Sequence, residues 1–426
     1  MAQDAIAVAE FIRRRERVLE ALKGAVGIVF AGDGGGALHG KWQADANFRY
    51  LTGIADEPGA AVLFDPSAEN PKRRCILFLR PLNPEMERWD GLREEIGAAL
   101  RERTGFQTVM RTTALPSMLT AAVRRAKRAA CLHSFSVYDA PVSPDLAVLR
   151  KVAERVVGVA IEDRTQLLAS MRAVKSAAEL RMMRRAAEAT AAGYAAAYAV
   201  IRPGAREADV QEALESGFRR AGGSGTAYNS IVGSGLNGTV LHYSANSGVL
   251  EEGDLLVIDA GANFGPPGSA YACDVTRTYP VSGTFSREQR EVYETVLRAQ
   301  EAAIRAARPG ARLVSDVDGA ARAVLEKAGY ADAFIHGIGH QLGLEVHDIT
   351  PDGPLKPGMV VTIEPGVYFP DRKMGIRIED DILITRNGNE NLTKMIPKSV
   401  DAVERALKGA RGGGERVGSA KVRARR

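Results

Sequence analysis

The chain has 426 residues, 45% apolar and 26% charged, which excludes a wholly disordered protein and leaves length for two domains with cores of their own. Nowhere do about 18 apolar residues run on without a charge or a glycine, which excludes a membrane-spanning helix. The formal charge of +5 is matched by residues 410–426 alone, where Arg411, Arg416, Lys421, Arg423, Arg425 and Arg426 face only Glu415; the excess describes a basic tail, not a specific nucleic-acid surface.

In chain order, Met1 to Leu22 is amphipathic with Arg13, Arg14, Arg15 and Arg17 and has no apolar secretion core. Cys75, Cys131 and Cys273 are odd in number, widely spaced and free of CxxC, as in a reducing compartment, so a cytoplasmic protein with structural cysteines is expected. Apolar runs at Val26 to Phe30, Ala60 to Phe64 and Cys75 to Leu79 predict strands, and Ala98 to Arg103 and Met118 to Ala129 predict helices: an α/β domain. Gly32 to Gly36 lacks the lysine of a phosphate-binding loop and reads as a flexible turn, and His39 and His133 read as structural. The segments predict domains at 1–168 and 169–406, followed by a disordered basic tail at 407–426.

The second unit opens with a capping box, Ser176 and Glu179, and contains a repeat. Leu250-Glu-Glu-Gly-Asp-Leu-Leu-Val-Ile-Asp-Ala-Gly261 matches Leu355-Lys-Pro-Gly-Met-Val-Val-Thr-Ile-Glu-Pro-Gly366 at an offset of 105. Ser176/Glu179 recurs as Ser286/Gln289, and Arg202-Pro-Gly-Ala-Arg206 recurs as Arg308-Pro-Gly-Ala-Arg312. The offset of 105 also relates Asp259 to Glu364 and Asp274 to Glu379, so two related hairpins each offer two acids. Halves facing each other across a pseudo-twofold axis would converge four carboxylates on one point.

Asp259 and Glu364 end apolar strands, where side chains are buried, and four buried carboxylates repel one another or take up protons unless cations neutralise them. Arg377 shares a strand face with Glu379 and supplies one positive charge; divalent ions would supply the rest. Acids with one or two imidazoles suit manganese, cobalt, iron or zinc. Asp254, Asp380 and Asp381 read instead as solvated or singly paired acids, with Asp380 pointing away from Glu379.

Three of the six histidines fall within His336-Gly-Ile-Gly-His340-Gln-Leu-Gly-Leu-Glu-Val-His347, whose glycines argue against a helical HExxH site. One metal ligand and two proton carriers is the economical division, and His242, after a Gly-rich turn, joins them. No GxSxG occurs, which weakens a serine-hydrolase reading.

The motifs IDAG (258–261), DVTRT (274–278), HGIGHQLGLEVHD (336–348), TIEPG (362–366) and GIRIEDD (375–381) resemble those of the pita-bread metallopeptidases. Asn47-Phe-Arg-Tyr-Leu-Thr-Gly53 and Glu87-Arg-Trp-Asp-Gly91 are similar to the N-terminal domain of aminopeptidase P, prolidase and creatinase. The resemblance implies an α+β protein: a duplicated, pseudo-twofold pita-bread domain preceded by a smaller α/β creatinase-type domain. It implies two divalent ions, manganese first and zinc, cobalt or iron as alternatives, held by Asp259, Asp274, His340, Glu364 and Glu379. His242, His336, His347 and Arg377 are implied to be catalytic, and Glu364 to double as proton shuttle to the leaving proline nitrogen. The implied activity is Xaa-Pro aminopeptidase, releasing the residue before a second-position proline. Prolidase is the alternative, and a metal-free binding module of the same fold the remoter one. The short segment between His347 and Lys356 has no Arg to hold a dipeptide carboxylate, and the hairpin tip around Gly265-Pro-Pro-Gly268 is about four residues longer than the family pattern. A homo-oligomer is implied, dimer before tetramer, with Trp42, Tyr50 and Trp89 as core or interface aromatics.

Overall fold

The structure, a computed structural model, describes residues 5–33, 42–135 and 140–423, so Gly34 to Gly36 and His39 lie outside the described residues. It divides into two compact units, Met1–Arg172 with Pro266–Ser269, and Ala173–Gly265 with Ala270–Arg426. The division comes four residues after the expected 168/169 because the helix Thr165–Ala173 belongs to the first unit. Its Leu168 is fully buried, the Met171 carbonyl accepts from the Tyr50 hydroxyl at 3.0 Å, and Arg172 donates to Asn47 Oδ1 at 2.9 Å.

The first unit is built on one six-stranded sheet in the order β4-β3-β2-β1-β5-β6. The strands are β1 (Val26–Phe30), β2 (Ala61–Phe64), β3 (Cys75–Leu79), β4 (Thr108–Arg111), β5 (Arg128–Cys131) and β6 (Ala160–Asp163). β1, β2 and β3 meander antiparallel, and β4, β5 and β6 join in parallel pairings. Strands covered on both faces need no polar alternation, which is why β2 and β3 read as continuous apolar runs. Leu119, Val123, Leu149 and Val152, from helices Leu115–Ala126 and Pro144–Ala153, pack into that core. The helix expected to reach Ala129 ends at Ala126: Lys127 turns the chain at φ +55° and residues 128–131 become β5. Tyr50 is core, whereas Trp89 is 82% exposed. The three cysteines are free, and His133 is buried, its Nε2 accepting from the Phe30 amide at 3.1 Å.

In the second unit the repeat is structural. Both capping boxes form, at Ser176/Glu179 on helix Ala177–Ala197 and at Ser286/Gln289 on helix Arg287–Ala306. Both RPGAR turns put their glycine at positive φ, Gly204 at +83° and Gly310 at +89°, and both glycine amides donate at 2.9 Å to equivalent carbonyls, Leu250 and Leu355. Each turn leads to a second helix, Glu207–Arg220 in one half and, after a π turn at Leu313–Val317, Asp318–Lys327 in the other.

Two long hairpins follow. Short β7 (Gly225–Thr226) and β8 (Ile231–Ser234) flank the first, which runs out through β9 (Leu255–Asp259) and β10 (Ala262–Phe264) and back through β11 (Tyr271–Ala272) and β12 (Thr276–Pro280). The second runs out through β13 (Val360–Ile363) and β14 (Gly366–Phe369) and back through β15 (Met374–Arg377) and β16 (Asp380–Thr385), with β17 (Gly388–Asn391) outside it. Their registers differ by two residues. Asp259 pairs with Thr276, whereas Ile363 pairs with Asp380, placing Glu364 opposite Glu379. The tip of the first hairpin, 265–270, is correspondingly two residues longer than 370–373.

The first residues of the segment expected to be a disordered tail, 407–411, lie in a helix with described contacts. Helix Val400–Arg423 carries Leu407, fully buried, and Arg411 donates to the carbonyls of Ile201, Val281 and Ser282 at 2.7–2.8 Å. Apolar anchoring by Leu407, masked in the sequence by the glycines and arginines that follow, holds the start of the segment. Among the described residues no helix is long and apolar enough to cross a membrane.

Candidate metal centre

All nine residues singled out from the sequence line a single cavity of ≈ 510 Å³: Asp259, Asp274, His340, Glu364, Glu379, His242, His336, His347 and Arg377. Strand pairing explains the convergence. Asp259 closes β9 and Asp274 precedes its partner β12; Glu364 follows β13 and Glu379 precedes its partner β16. The hairpins meet where the Glu379 amide donates to the Thr276 carbonyl at 3.0 Å. Asp274 lies across from Gly261, where a Cβ would stand 1.7 Å from the Cys273 carbonyl, so only glycine permits this approach.

Oxygen and nitrogen acceptors face one another here. Asp274, His340 and Glu379 each offer a ligand atom within 4.8 Å of the others. His340 Nε2 lies 3.5 Å from both Asp274 Oδ2 and Glu364 Oε1. Its Nδ1 lies 3.0 Å from the Gln341 carbonyl, which makes Nδ1 the protonated nitrogen and turns the Nε2 lone pair toward the carboxylates. Burial lowers this imidazole to about 4, so it is neutral at pH 7. Burial, then the neighbouring carboxylates, push Asp274 and Glu379 well above the usual range. Burial likewise raises Glu364 to about 7 against the pull of Arg377. A cluster in which Asp274, Glu364 and Glu379 resist ionisation, with a lone pair aimed into it, is complementary to divalent cations, and these donors fit them.

Among the described residues Arg377 is the one Arg or Lys lining the cavity, and its three nitrogens are committed. Nη2 donates to Asp259 Oδ2 at 2.7 Å, Nη1 to the Tyr368 hydroxyl at 2.8 Å and Nε to Thr276 Oγ1 at 3.0 Å. Thr276 Oγ1 in turn donates to Glu379 Oε2 at 2.7 Å. His336 is held at both ring nitrogens, Nδ1 by the Gly337 carbonyl and Nε2 by the Tyr368 hydroxyl, each at 2.9 Å. His347 is exposed and stacks edge-on against His340 at 4.2 Å between centroids; His242 is exposed on the cavity wall.

Three contributors were not singled out in the sequence. The Tyr228 hydroxyl lies between Asp259 Oδ1, at 2.6 Å, and Asp274 Oδ1, its one proton shared between the two carboxylates, and nothing in its surroundings marks it. Tyr368 joins Arg377 to His336. Thr276 was within reach, because strand alternation from Asp274 puts it on the same face. Asp380, set aside as an ordinary pair, is buried away from the cavity, bonded to Arg277 at 2.7 Å and Lys398 at 2.6 Å.

Residues 181–386 match the model of metallopeptidase family M24, and residues 11–131 match the aminopeptidase P N-terminal domain. The chain is 34% identical over 402 residues to the Xaa-Pro aminopeptidase of Haemophilus influenzae, covering 86% of this chain and 88% of that one. It belongs to metallopeptidase family M24. The structure of aminopeptidase PepP from Pseudomonas aeruginosa superposes with a TM-score of 0.82 at 31% identity, covering 96% of this chain and 100% of that one. Similarity to the Xaa-Pro dipeptidase of Pyrococcus furiosus is 39% over 233 residues, covering 54% of this chain and 65% of that one. The pita-bread fold with an α/β N-terminal domain is therefore that of this M24 chain as well.

Proposed function

We propose that this chain is a metal-dependent Xaa-Pro aminopeptidase, hydrolysing the bond between an N-terminal residue and a following proline. The observation that carries the reading is the convergence of Asp259, Asp274, Glu364, Glu379 and the His340 Nε2 lone pair on one cavity. These five groups would hold two divalent ions, which when bound supply Lewis acidity and a water acidified toward neutral pH. Four carboxylates to one imidazole is an oxygen-rich set and favours manganese over zinc.

Hydrolysis adds hydroxyl to the acyl carbon and a proton to the prolyl nitrogen. Glu364, on the cavity wall and raised to about 7 by burial, is suited to hold that proton and deliver it from a carboxylate oxygen. His242 and His347, exposed on the cavity wall, would donate to the scissile carbonyl oxygen. His336, with both nitrogens engaged, shapes the wall and holds Tyr368, which with Thr276 fixes Arg377 against Asp259.

The match to an aminopeptidase over 86% of this chain, against 54% for a dipeptidase, favours longer peptides over dipeptides, as does the arginine-free segment 348–355. Comparing an Xaa-Pro dipeptide with an Xaa-Pro-Xaa tripeptide in added manganese tests this. Faster turnover of the tripeptide is expected, and cleavage of the dipeptide alone overturns it. The free cysteines support a reducing, cytoplasmic location. Trp89 at 82% and Leu92 at 91% exposure support a homodimer that covers them. Light scattering over a tenfold dilution tests assembly, and a steady mass at 45.6 kDa would remove it.

A further inference from the structure

The wall bearing His242 is held by a carboxylate outside the cavity. Glu207 opens the helix Glu207–Arg220, is 0% exposed and does not line the cavity. Its carboxylate accepts five hydrogen bonds from three segments. Oε1 receives the Ser234 amide at 2.7 Å, Ser234 Oγ at 2.9 Å and Asn237 Nδ2 at 3.1 Å. Oε2 receives the Gly248 amide at 2.7 Å and the Tyr243 hydroxyl at 2.8 Å. Tyr243 is the residue after His242, and Ser234 and Gly248 bracket the segment.

One turn further along the same helix, Gln211 Oε1 accepts from Asn246 Nδ2 at 2.8 Å. Asn246 sits at φ +46°, donates to the Ser230 carbonyl at 2.8 Å and accepts from the Val232 amide at 2.9 Å. The exposed His242 ring is thus carried on a segment pinned on both sides to one helix. The helix N-terminus favours the carboxylate charge, and a buried anion with five donors forms a rigid node.

We propose that Glu207 is a positioning residue that fixes His242 on the cavity wall, an inference resting on the reading of His242 as a group that contacts substrate. A glutamine cannot replace it. Each carboxylate oxygen faces a backbone N–H that cannot reverse, so either orientation of an amide sets its NH₂ against an amide hydrogen.

The test is a double-mutant cycle of Glu207→Gln and His242→Ala on an Xaa-Pro-Xaa peptide, with kcat and KM separated, bound metal measured by elemental analysis and thermal midpoints recorded. Glu207→Gln is expected to lower kcat about tenfold with bound metal unchanged, and to cost less than about twofold once His242 is alanine. An equal loss in both backgrounds overturns the proposal, since a purely structural role would act regardless of His242. So does an impaired His242→Ala beside a fully active Glu207→Gln. A fully active His242→Ala instead removes the underlying reading of the site. Should Glu207→Gln not fold, Tyr243→Phe deletes one of the five bonds and decides the matter. A drop of about threefold that vanishes without His242 supports the proposal, and no drop, or one equal in both backgrounds, refutes it.

Discussion

Asp380 and Asp381 are adjacent and both buried, yet replacing each by asparagine has opposite consequences. Asp380 Oδ1 accepts from Arg277 Nη2 at 2.7 Å and Thr393 Oγ1 at 2.8 Å, and Oδ2 from Lys398 Nζ at 2.6 Å and Gln300 Nε2 at 3.1 Å. Asp380→Asn keeps the shape and leaves two cations without their counter-charge, one of them, Arg277, with 0% side-chain exposure. Removing one member of a buried pair costs roughly 3–5 kcal/mol; Lys398 can turn to water, so about 3 kcal/mol applies. At roughly 2–4 °C per kcal/mol for a unit of this size, the midpoint falls about 6–12 °C.

Burial raises the Asp380 carboxyl, but Arg277 and Lys398 more than reverse it and hold it below the usual range. Its stabilisation is therefore present above the unfolded value near ~3.9, still largely intact at pH 4, and lost progressively as pH falls from there through the depressed folded value. Burial instead pushes Asp381 to about 8. Its charge opposes folding increasingly as pH rises from ~4 to about 8, so Asp381→Asn, which mimics the protonated form, is neutral or stabilising at pH 7. Thermal unfolding of both variants followed by circular dichroism at pH 7 and pH 4 checks this. Equal losses in the two, or an Asp380→Asn midpoint within about 2 °C of the parent, refute the reasoning.

Asp274→Ala is expected to abolish turnover and lower bound metal; elemental analysis showing the parent's metal content with full activity would remove the five-group assignment. His347→Ala should retain metal and lose at least about tenfold in kcat, about 1.4 kcal/mol of barrier, measured by steady-state kinetics. Metal loss there would exchange its role with that of His340. Tyr228→Phe deletes a hydroxyl that orients two carboxylates, and titration with manganese should show affinity weaker by about 10–100-fold.

The four acids were legible because duplication recorded them twice, and a fixed offset needs no knowledge of contacts; His340 has no such double and stood out through the clustering of three histidines and the resemblance of its motif. The difference in register between the hairpins was not legible, since both acid pairs are 15 apart and a spacing does not say which residues pair across a hairpin: the longer first tip is offset by Asp259 facing Thr276 rather than Asp274. Tyr228 and Glu207 were hidden for another reason. Each acts through side-chain hydroxyls or amides on segments distant in sequence, and periodicity carries no trace of such pairs. Glu207 looks from the sequence like any first-turn acid favoured by the helix dipole. In the first unit, the stop at Lys127 turned on a non-glycine residue in the left-handed region, a choice that composition does not announce.

Each hairpin supplies two of the four acids, and this divides the centre in time as well as in space. A ribosome adds the chain from its N-terminus, so Asp259 and Asp274 emerge with no partner acids, and the set closes only when Glu379 has left the exit tunnel. The nascent first half holds only two of the four acids, and a fragment ending before Glu379 lacks the last of them. Duplication thus leaves the four-acid set incomplete until almost the whole of these 426 residues has been made.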